Sequence, residues 1–185
     1  MNPHCAPLSR RSWLALSPVL LCGGGVWAQA APVELAQALP GARLAGQMRF
    51  RVWGFEVYDA GLWVQPGFSA TGFETHPLAL ELRYLRDFVA QDIAEQSLKE
   101  MRRLAPLSAE QDKRWLEEMR RIFPNVKKGD RLLGLQQPGQ GAAFWFNGQL
   151  RGDIRDAEFA RLFFGIWLSP RSSEPALRQA LLGSP

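Results

Sequence analysis

The sequence predicts an α+β fold, an antiparallel sheet with helices gathered on one face, and three observations predict it. Apolar residues alternate at period two in the first and last thirds, and recur at helical spacing through the middle. Short turns rich in Gly, Pro and Asn-Gly separate neighbouring strand patterns, which lets consecutive strands pair antiparallel. The chain has 185 residues, 46% of them hydrophobic and 22% charged, an ordinary balance for one globular domain with a sizeable core.

The amino terminus is set apart from that domain. Ser9-Arg10-Arg11 precedes a mostly apolar run from Trp13 to Trp27, and Ala28-Gln29-Ala30 forms a small-x-small cleavage signature before Ala31. Residues 1–30 therefore read as a cleavable export signal and 31–185 as a single domain, with the periplasm as the expected location. A membrane span needs about 20 apolar residues. This run is shorter and holds Pro18 and Gly23-Gly24-Gly25, so no span is expected after cleavage. Ser9-Arg10-Arg11-Ser12-Trp13-Leu14 also looks like a twin-arginine signal, which leaves the general secretory and twin-arginine routes both open. Leu21 stands where a lipidated Cys22 would want a small residue.

Cleavage removes Cys5, Cys22 and His4, leaving His76 as the one histidine and no thiol for a disulfide or a metal. Loss of Arg10 and Arg11 leaves 20 Lys and Arg against 18 Asp and Glu, a net charge of +2.

The elements follow in order. Met48, Phe50 and Val52 alternate with Arg49, Arg51 and Trp53, and after Gly54 the alternation resumes in Phe55-Glu56-Val57-Tyr58, giving two strands or one bent one. Residues 65–77, with their Gly and Pro breaks, are a loop. Leu78, Leu80, Leu82 and Tyr84 form the buried face of a strand. From Asp87 as N-cap, a helical stripe runs through Phe88, Val89, Ile93, Ser97, Met101 and Leu104 until Pro106. Ser108-Ala109-Glu110-Gln111 has the form of a capping box, and Trp115, Leu116, Met119, Ile122 and Phe123 follow until Pro124.

Three strands come next: Asp130 to Leu135, Ala142 to Phe146 after a Pro138-Gly139 turn, and Gln149 to Ile154 after Asn147-Gly148. Asp156 caps a helix carrying Phe159, Leu162, Phe163 and Ile166. Ser173 and Pro175 open a last helix that Gly183 closes. The apolar run Phe163-Phe164-Gly165-Ile166-Trp167-Leu168 is half a membrane span in length and flanked by turns, so it is the buried face of a helix.

Several chemistries lack their parts. No Gly-x-Ser-x-Gly elbow accompanies His76, a zinc site lacks ligands, and no phosphate-cradling or dinucleotide glycine motif occurs. No cofactor or metal is expected. The basic pairs Arg102-Arg103, Arg120-Arg121 and Lys127-Lys128 are interleaved with acids and read as solvated faces, not a nucleic-acid surface.

Five segments in order carry a family resemblance: Val57-Tyr58-Asp59-Ala60-Gly61-Leu62-Trp63-Val64, Lys127-Lys128-Gly129-Asp130, Phe146-Asn147-Gly148, Phe164-Gly165-Ile166-Trp167-Leu168, and Leu177-Arg178-Gln179-Ala180-Leu181-Leu182-Gly183. They resemble the bacterial chalcone isomerase-like family over about Leu39 to Gly183. The resemblance implies an open-faced β-sandwich, a curved antiparallel sheet covered by helices with a cleft between the layers. It also implies a choice of functions, since the superfamily holds isomerases, fatty-acid-binding proteins and members without known catalysis.

Two readings follow. In the favoured one the protein is a non-catalytic binder of a small apolar or amphiphilic, fatty-acid-like ligand. Arg49 holds the carboxylate, and Tyr58, Leu62, Leu80, Tyr84, Phe163, Ile166 and Trp167 line the cleft. In the alternative it is an intramolecular lyase of the chalcone isomerase type. Arg49 is then the electrostatic clamp that the resemblance places one strand before Tyr58, and Tyr58 is the proton donor. The remaining donors of the plant site have no counterparts in this sequence.

Overall fold

The computed structural model describes Met1 and residues 31–183; the stretch expected to be an export signal, with Arg10, Arg11, Cys5 and Cys22, lies outside the described residues. Six strands pair in the order in which they occur: β1 (Arg43–Val52), β2 (Phe55–Val64), β3 (Leu78–Tyr84), β4 (Arg131–Gln137), β5 (Gly141–Phe146) and β6 (Gln149–Ile154). Every neighbouring pair is antiparallel. The helices are α1 (Val33–Ala38), α2 (Ala90–Leu104), α3 (Ala109–Ile122), α4 (Ala157–Leu168) and α5 (Pro175–Leu182).

Register sorts the side chains onto two faces, because successive residues of a strand point to opposite sides. Across the sheet Leu62, Leu80, Gly134 and Phe144 fall in one row, and Met48, Ala60, Leu82, Leu132 and Phe146 in the next. These rows meet Leu98 and Met101 of α2, Trp115 and Met119 of α3, and Phe159, Phe163 and Phe164 of α4 in the main core. A row of opposite parity, Trp63, Ala79 and Leu135, joins Leu35 and Leu39 in a second, smaller core. That core lies under α1, on the other face of the sheet. α1 is absent from the sequence reading, although Leu35 and Leu39 at i,i+4 after Pro32 form a short helical stripe. The Arg131–Glu34 ion pair ties it to β4.

The local signals explain most boundaries. Ser108 and Gln111 exchange both capping-box hydrogen bonds at α3. Asp156 accepts from the N–H groups of Glu158 and Phe159 at the start of α4, and from Trp115 Nε1 at 2.9 Å, so one carboxylate caps one helix and fastens another. At Asp87 the structure corrects the sequence reading. α2 begins three residues later, its first N–H is accepted by Asn125 Oδ1 at 2.8 Å, and the Asp87 carboxylate accepts from Lys128 N–H instead. The long-range partners outcompete the local cap. With the helix start moved, Val89 is exposed, and Ala94 and Leu98 join the buried stripe.

Two-residue turns of type I′ close two hairpins. Asn147 (φ 47°) and Gly148 (φ 86°) join β5 to β6, whereas Trp53 (φ 49°) and Gly54 (φ 82°) join β1 to β2. Asparagine tolerates that left-handed conformation; a bulky residue such as tryptophan is a genuine outlier there. Gly46 is required for a different reason: a Cβ there would lie 2.0 Å from the Ala180 carbonyl oxygen, so β1 and the end of α5 meet backbone to backbone.

α4 carries the most concentrated burial. Phe159, Phe164 and Leu168 are fully buried, and Phe163 packs edge-on against Phe144, Phe164 and Trp167 at 5.3–5.4 Å. Each large side chain so placed contributes about 1.5–3 kcal/mol relative to exposure. Ile166, on the remaining flank of the helix, is only partly buried.

Candidate functional site: a cavity between sheet and helices

The helix layer does not cover the sheet completely. Beyond the Leu62–Leu80 row, toward the β1–β2 hairpin, the two layers diverge around a cavity of about 760 Å³, within the 300–1,000 Å³ range typical of small-molecule sites. Phe50, Tyr58, Leu82 and Tyr84 form its floor, Ile93, Gln96 and Ser97 of α2 one wall, and Phe163, Ile166 and Trp167 of α4 the other. The hairpin residues Val52, Trp53 and Phe55 stand at its rim with Arg86, Lys99 and several acids.

Two phenols occupy the floor. Phe50, Tyr58 and Tyr84 share one row of the register, with Tyr58 stacked on Phe50 at 5.1 Å and set edge-on to Tyr84 at 6.2 Å. The Tyr58 hydroxyl accepts from Trp167 Nε1 at 3.1 Å, and its own proton has no acceptor among the described residues. Tyr84 is 4% exposed, and its hydroxyl has no hydrogen-bond partner among the described residues. Burial pushes both phenols above the ordinary tyrosine range, so both are protonated donors at any physiological pH. Buried polar groups are nearly always hydrogen-bonded. Two unspent donors on an otherwise apolar floor make this the place where an acceptor on a bound molecule is best received.

Of the residues singled out in the sequence, Tyr58, Tyr84, Phe163, Ile166 and Trp167 come together around this cavity. Leu62 and Leu80 do not line it; at 0% and 2% exposed they belong to the packed core one row deeper. Arg49 lies on the opposite face of the sheet. It shares a row with Asp59, Arg83 and Arg131, and its guanidinium bonds Asp59 at 2.7 and 3.0 Å and Glu56 at 3.1 Å. The carboxylates hold its pKa far above the usual value. Period-two alternation with Met48 and Phe50 accounts for this: neighbours of cavity-facing residues must face away.

The residues that sequence reasoning missed are the hairpin tip, Phe50, Phe88, and Gln96 and Lys99 of α2. Arg86 sits at the cavity rim with its guanidinium carbon 5.8 Å from the ring centroids of both Phe55 and Phe88. The signal for Phe50 was its parity with Tyr58, which needed the β1–β2 register to become informative.

Arg49 instead lines a separate polar recess of about 420 Å³ with Gln47, Asp59, Trp63, Glu81 and Arg83. There the buried Glu81 accepts from Trp63 Nε1 at 3.1 Å. No cluster of three metal-ligating side chains occurs among the described residues. No helix among them is long and apolar enough to cross a membrane.

Comparison with known proteins agrees with this architecture. An uncharacterized protein of Haemophilus influenzae is 34% identical over 135 residues, which cover 71% of this chain and 63% of that protein. The chain thus spans less than two thirds of that relative's length. Among solved structures, an Arabidopsis thaliana fatty-acid binding protein superposes with a TM-score of 0.61 at 12% identity, covering 77% of this chain and 87% of that one. The likeness extends to the fold: an antiparallel sheet with helices against one face. The chalcone isomerase-like family model matches residues 43–183, from the first strand to the end of the last helix, and the chain belongs to that family.

Proposed function

We propose that the protein binds one amphiphilic molecule with an acyl or similarly apolar tail. The tail lies against Phe50, Leu82, Ile93, Phe163 and Ile166, and an acceptor headgroup takes hydrogen bonds from Tyr58 and Tyr84. The observation that carries this reading is the pair of phenol donors, Tyr84 buried and Tyr58 half-buried, left unspent on the floor of an apolar cavity of about 760 Å³. The fatty-acid binding protein of similar fold supports the ligand class. Each methylene buried adds about 0.8 kcal/mol, so length of tail sets affinity, while the hydroxyls set orientation.

The carboxylate role that the sequence assigned to Arg49 falls to these two donors, with Arg86 and Lys99 at the rim as the nearby cations. No observation favours the isomerase alternative. Its clamp, Arg49, faces away from the cavity and is paired with Asp59 and Glu56.

The test is calorimetric titration of delipidated protein with a long-chain fatty acid and with its methyl ester. The expected result is saturable one-to-one binding, tighter for the acid. Absence of saturable binding for both, together with no lipid in a solvent extract of freshly purified protein, overturns the reading. Export to the periplasm is part of the same proposal. Amino-terminal sequencing of protein recovered from that compartment should begin at Ala31, and recovery of an intact Met1 chain from the cytoplasm alone would contradict it.

A further inference from the structure

The β1–β2 hairpin tip is built against the usual rules for an exposed turn. Trp53 is 94% exposed, Phe55 65% and Val52 39%, and all three are contiguous at the end of the sheet. Trp53 also holds a left-handed conformation, φ 49°, which the equivalent turn in this same sheet gives to Asn147. A bulky aromatic there gains nothing from burial within the chain and strains the turn, so the residue is kept for something outside the chain. Val89, 49% exposed at the start of α2, follows Phe88 on the adjoining loop.

Most acids around this tip are tied to partners within the fold. Glu56 pairs with Arg49 and Arg51. Asp87 accepts the Lys128 N–H, and Asp130 accepts the Lys127 N–H and the Asn147 amide. Asp92, Glu100 and Glu174 line the cavity as well, with Glu100 paired to Arg103. Arg86, Lys127 and Lys128 form no ion pair among the described residues. Arg86 lies over Phe55, and the Phe88–Val126 bridge brings the Lys127-Lys128 turn beside it. Unpaired cations around exposed aromatics suit an interface whose inner layer is apolar and whose outer layer is anionic.

We infer that the hairpin tip docks the protein on an anionic phospholipid bilayer. Trp53 and Phe55 enter the headgroup boundary, and Arg86, Lys127 and Lys128 face lipid phosphates. Trp53 and Phe55 also line the rim of the cavity, so the docked face is the face through which the cavity opens.

The experiment is partition of the protein onto vesicles of phosphatidylglycerol and phosphatidylethanolamine, compared with phosphatidylcholine alone, read by co-sedimentation and tryptophan emission. Trp63, Trp115 and Trp167 are buried and Trp145 packs, partly buried, against the second core on the other face of the sheet, so Trp53 should dominate a blue shift. Expected are binding to the anionic vesicles, a blue shift lost in Trp53→Ser, and roughly fivefold weaker partition for each cation removed in Lys127→Gln and Lys128→Gln. The lysine variants should keep full fatty-acid affinity in vesicle-free solution, which separates failure of docking from failure of the ligand reading. Circular dichroism verifies that each variant is folded. No partition onto anionic vesicles, or partition unaffected by Trp53→Ser and by the lysine changes, overturns the inference. So does a concentration-dependent dimer abolished by Trp53→Ser, which would assign the tip to a second copy of the chain.

Discussion

Replacing Tyr84 with phenylalanine should weaken binding while leaving the stability of the empty protein nearly unchanged. The ring sits 96% buried, edge-on to Tyr58 and tilted against Phe88, and none of that packing involves the hydroxyl. Because the hydroxyl has no protein partner among the described residues, the ligand-free protein loses no internal hydrogen bond on its removal. The hydroxyl opens onto the cavity, where water can solvate it in the empty protein. Tyr84→Phe is therefore expected to leave the stability of the empty protein within about 1 kcal/mol. Binding should respond more strongly. A hydrogen bond to a charged acceptor contributes about 1.5–3 kcal/mol, so affinity for a long-chain carboxylate should fall roughly ten- to hundredfold, with much less effect on the methyl ester. Urea denaturation of delipidated protein measures the first quantity and calorimetric titration the second. Destabilisation of the empty protein by more than about 1 kcal/mol would mean that the hydroxyl is engaged within the fold. Unchanged affinity for the acid would mean that the headgroup lies elsewhere. Either result refutes the reasoning.

Other expectations follow from the same geometry. Arg49→Ala should leave fatty-acid affinity within about twofold, because the guanidinium lies across the sheet from the cavity; a tenfold loss by titration would bring it back into the site. Asp156→Ala removes the cap of α4 and the acceptor of Trp115 Nε1 together, and should cost about 2–3 kcal/mol in urea denaturation. Burial pushes the Asp156 carboxyl up, but hydrogen bonds from Phe159, Trp115 and Glu158 and the Arg114 charge outweigh it and hold the pKa below the usual value. Its contribution is therefore present above about pH 4 and lost as pH falls through the depressed value, a loss that Asp156→Asn should flatten. At the other extreme the raised Tyr58 and Tyr84 keep their protons in the folded state while the unfolded chain releases them near pH 10. Stability should be held below about pH 10 and fall above it, by up to about 1.4 kcal/mol per pH unit for each phenol, and less steeply in the double phenylalanine variant. Gly46→Ala drives a Cβ into the Ala180 carbonyl and should cost about 1–3 kcal/mol, detectable as a lowered thermal midpoint.

Much of the architecture was legible because its determinants are local. Asn147-Gly148, the Ser108 capping box, the Asp156 cap and the Leu78–Tyr84 strand each act within a few residues, and each is found where its pattern lies, although Ala79 and Glu81 on the other face of β3 are buried too. The errors fall where partners are distant. Asp87 has the right chemistry for a cap, but Lys128 claims it and Asn125 supplies the cap from 35 residues away. The site shows the same division. The apolar positions of α4 were readable from helical spacing, whereas the depth of Tyr84, a residue at the very end of its strand, depends on Phe88 and α2 folding back over it. The placement of Arg49 turned on two signals that disagreed. Alternation put it opposite Met48 and Phe50, the family resemblance put it in the cleft, and the strand geometry prevailed.

The topology of α2 and α3 bears on how a molecule could enter. Both helices are inserted between β3 and β4, which pair directly with each other, so the excursion leaves the sheet and returns to it at adjacent strands. Its two ends are clasped by the reciprocal Phe88–Val126 hydrogen bonds, 3.0 and 2.9 Å, beside the cavity. The Ala90 N–H on Asn125 and the Lys128 N–H on Asp87 tighten the same clasp. Met101, Trp115, Met119 and Ile122 are fully buried beneath the helical pair, and Trp115 is bonded to Asp156 at the head of α4, so the cover is fixed to the core it closes. The way in left by a fixed cover is the rim at Trp53 and Phe55.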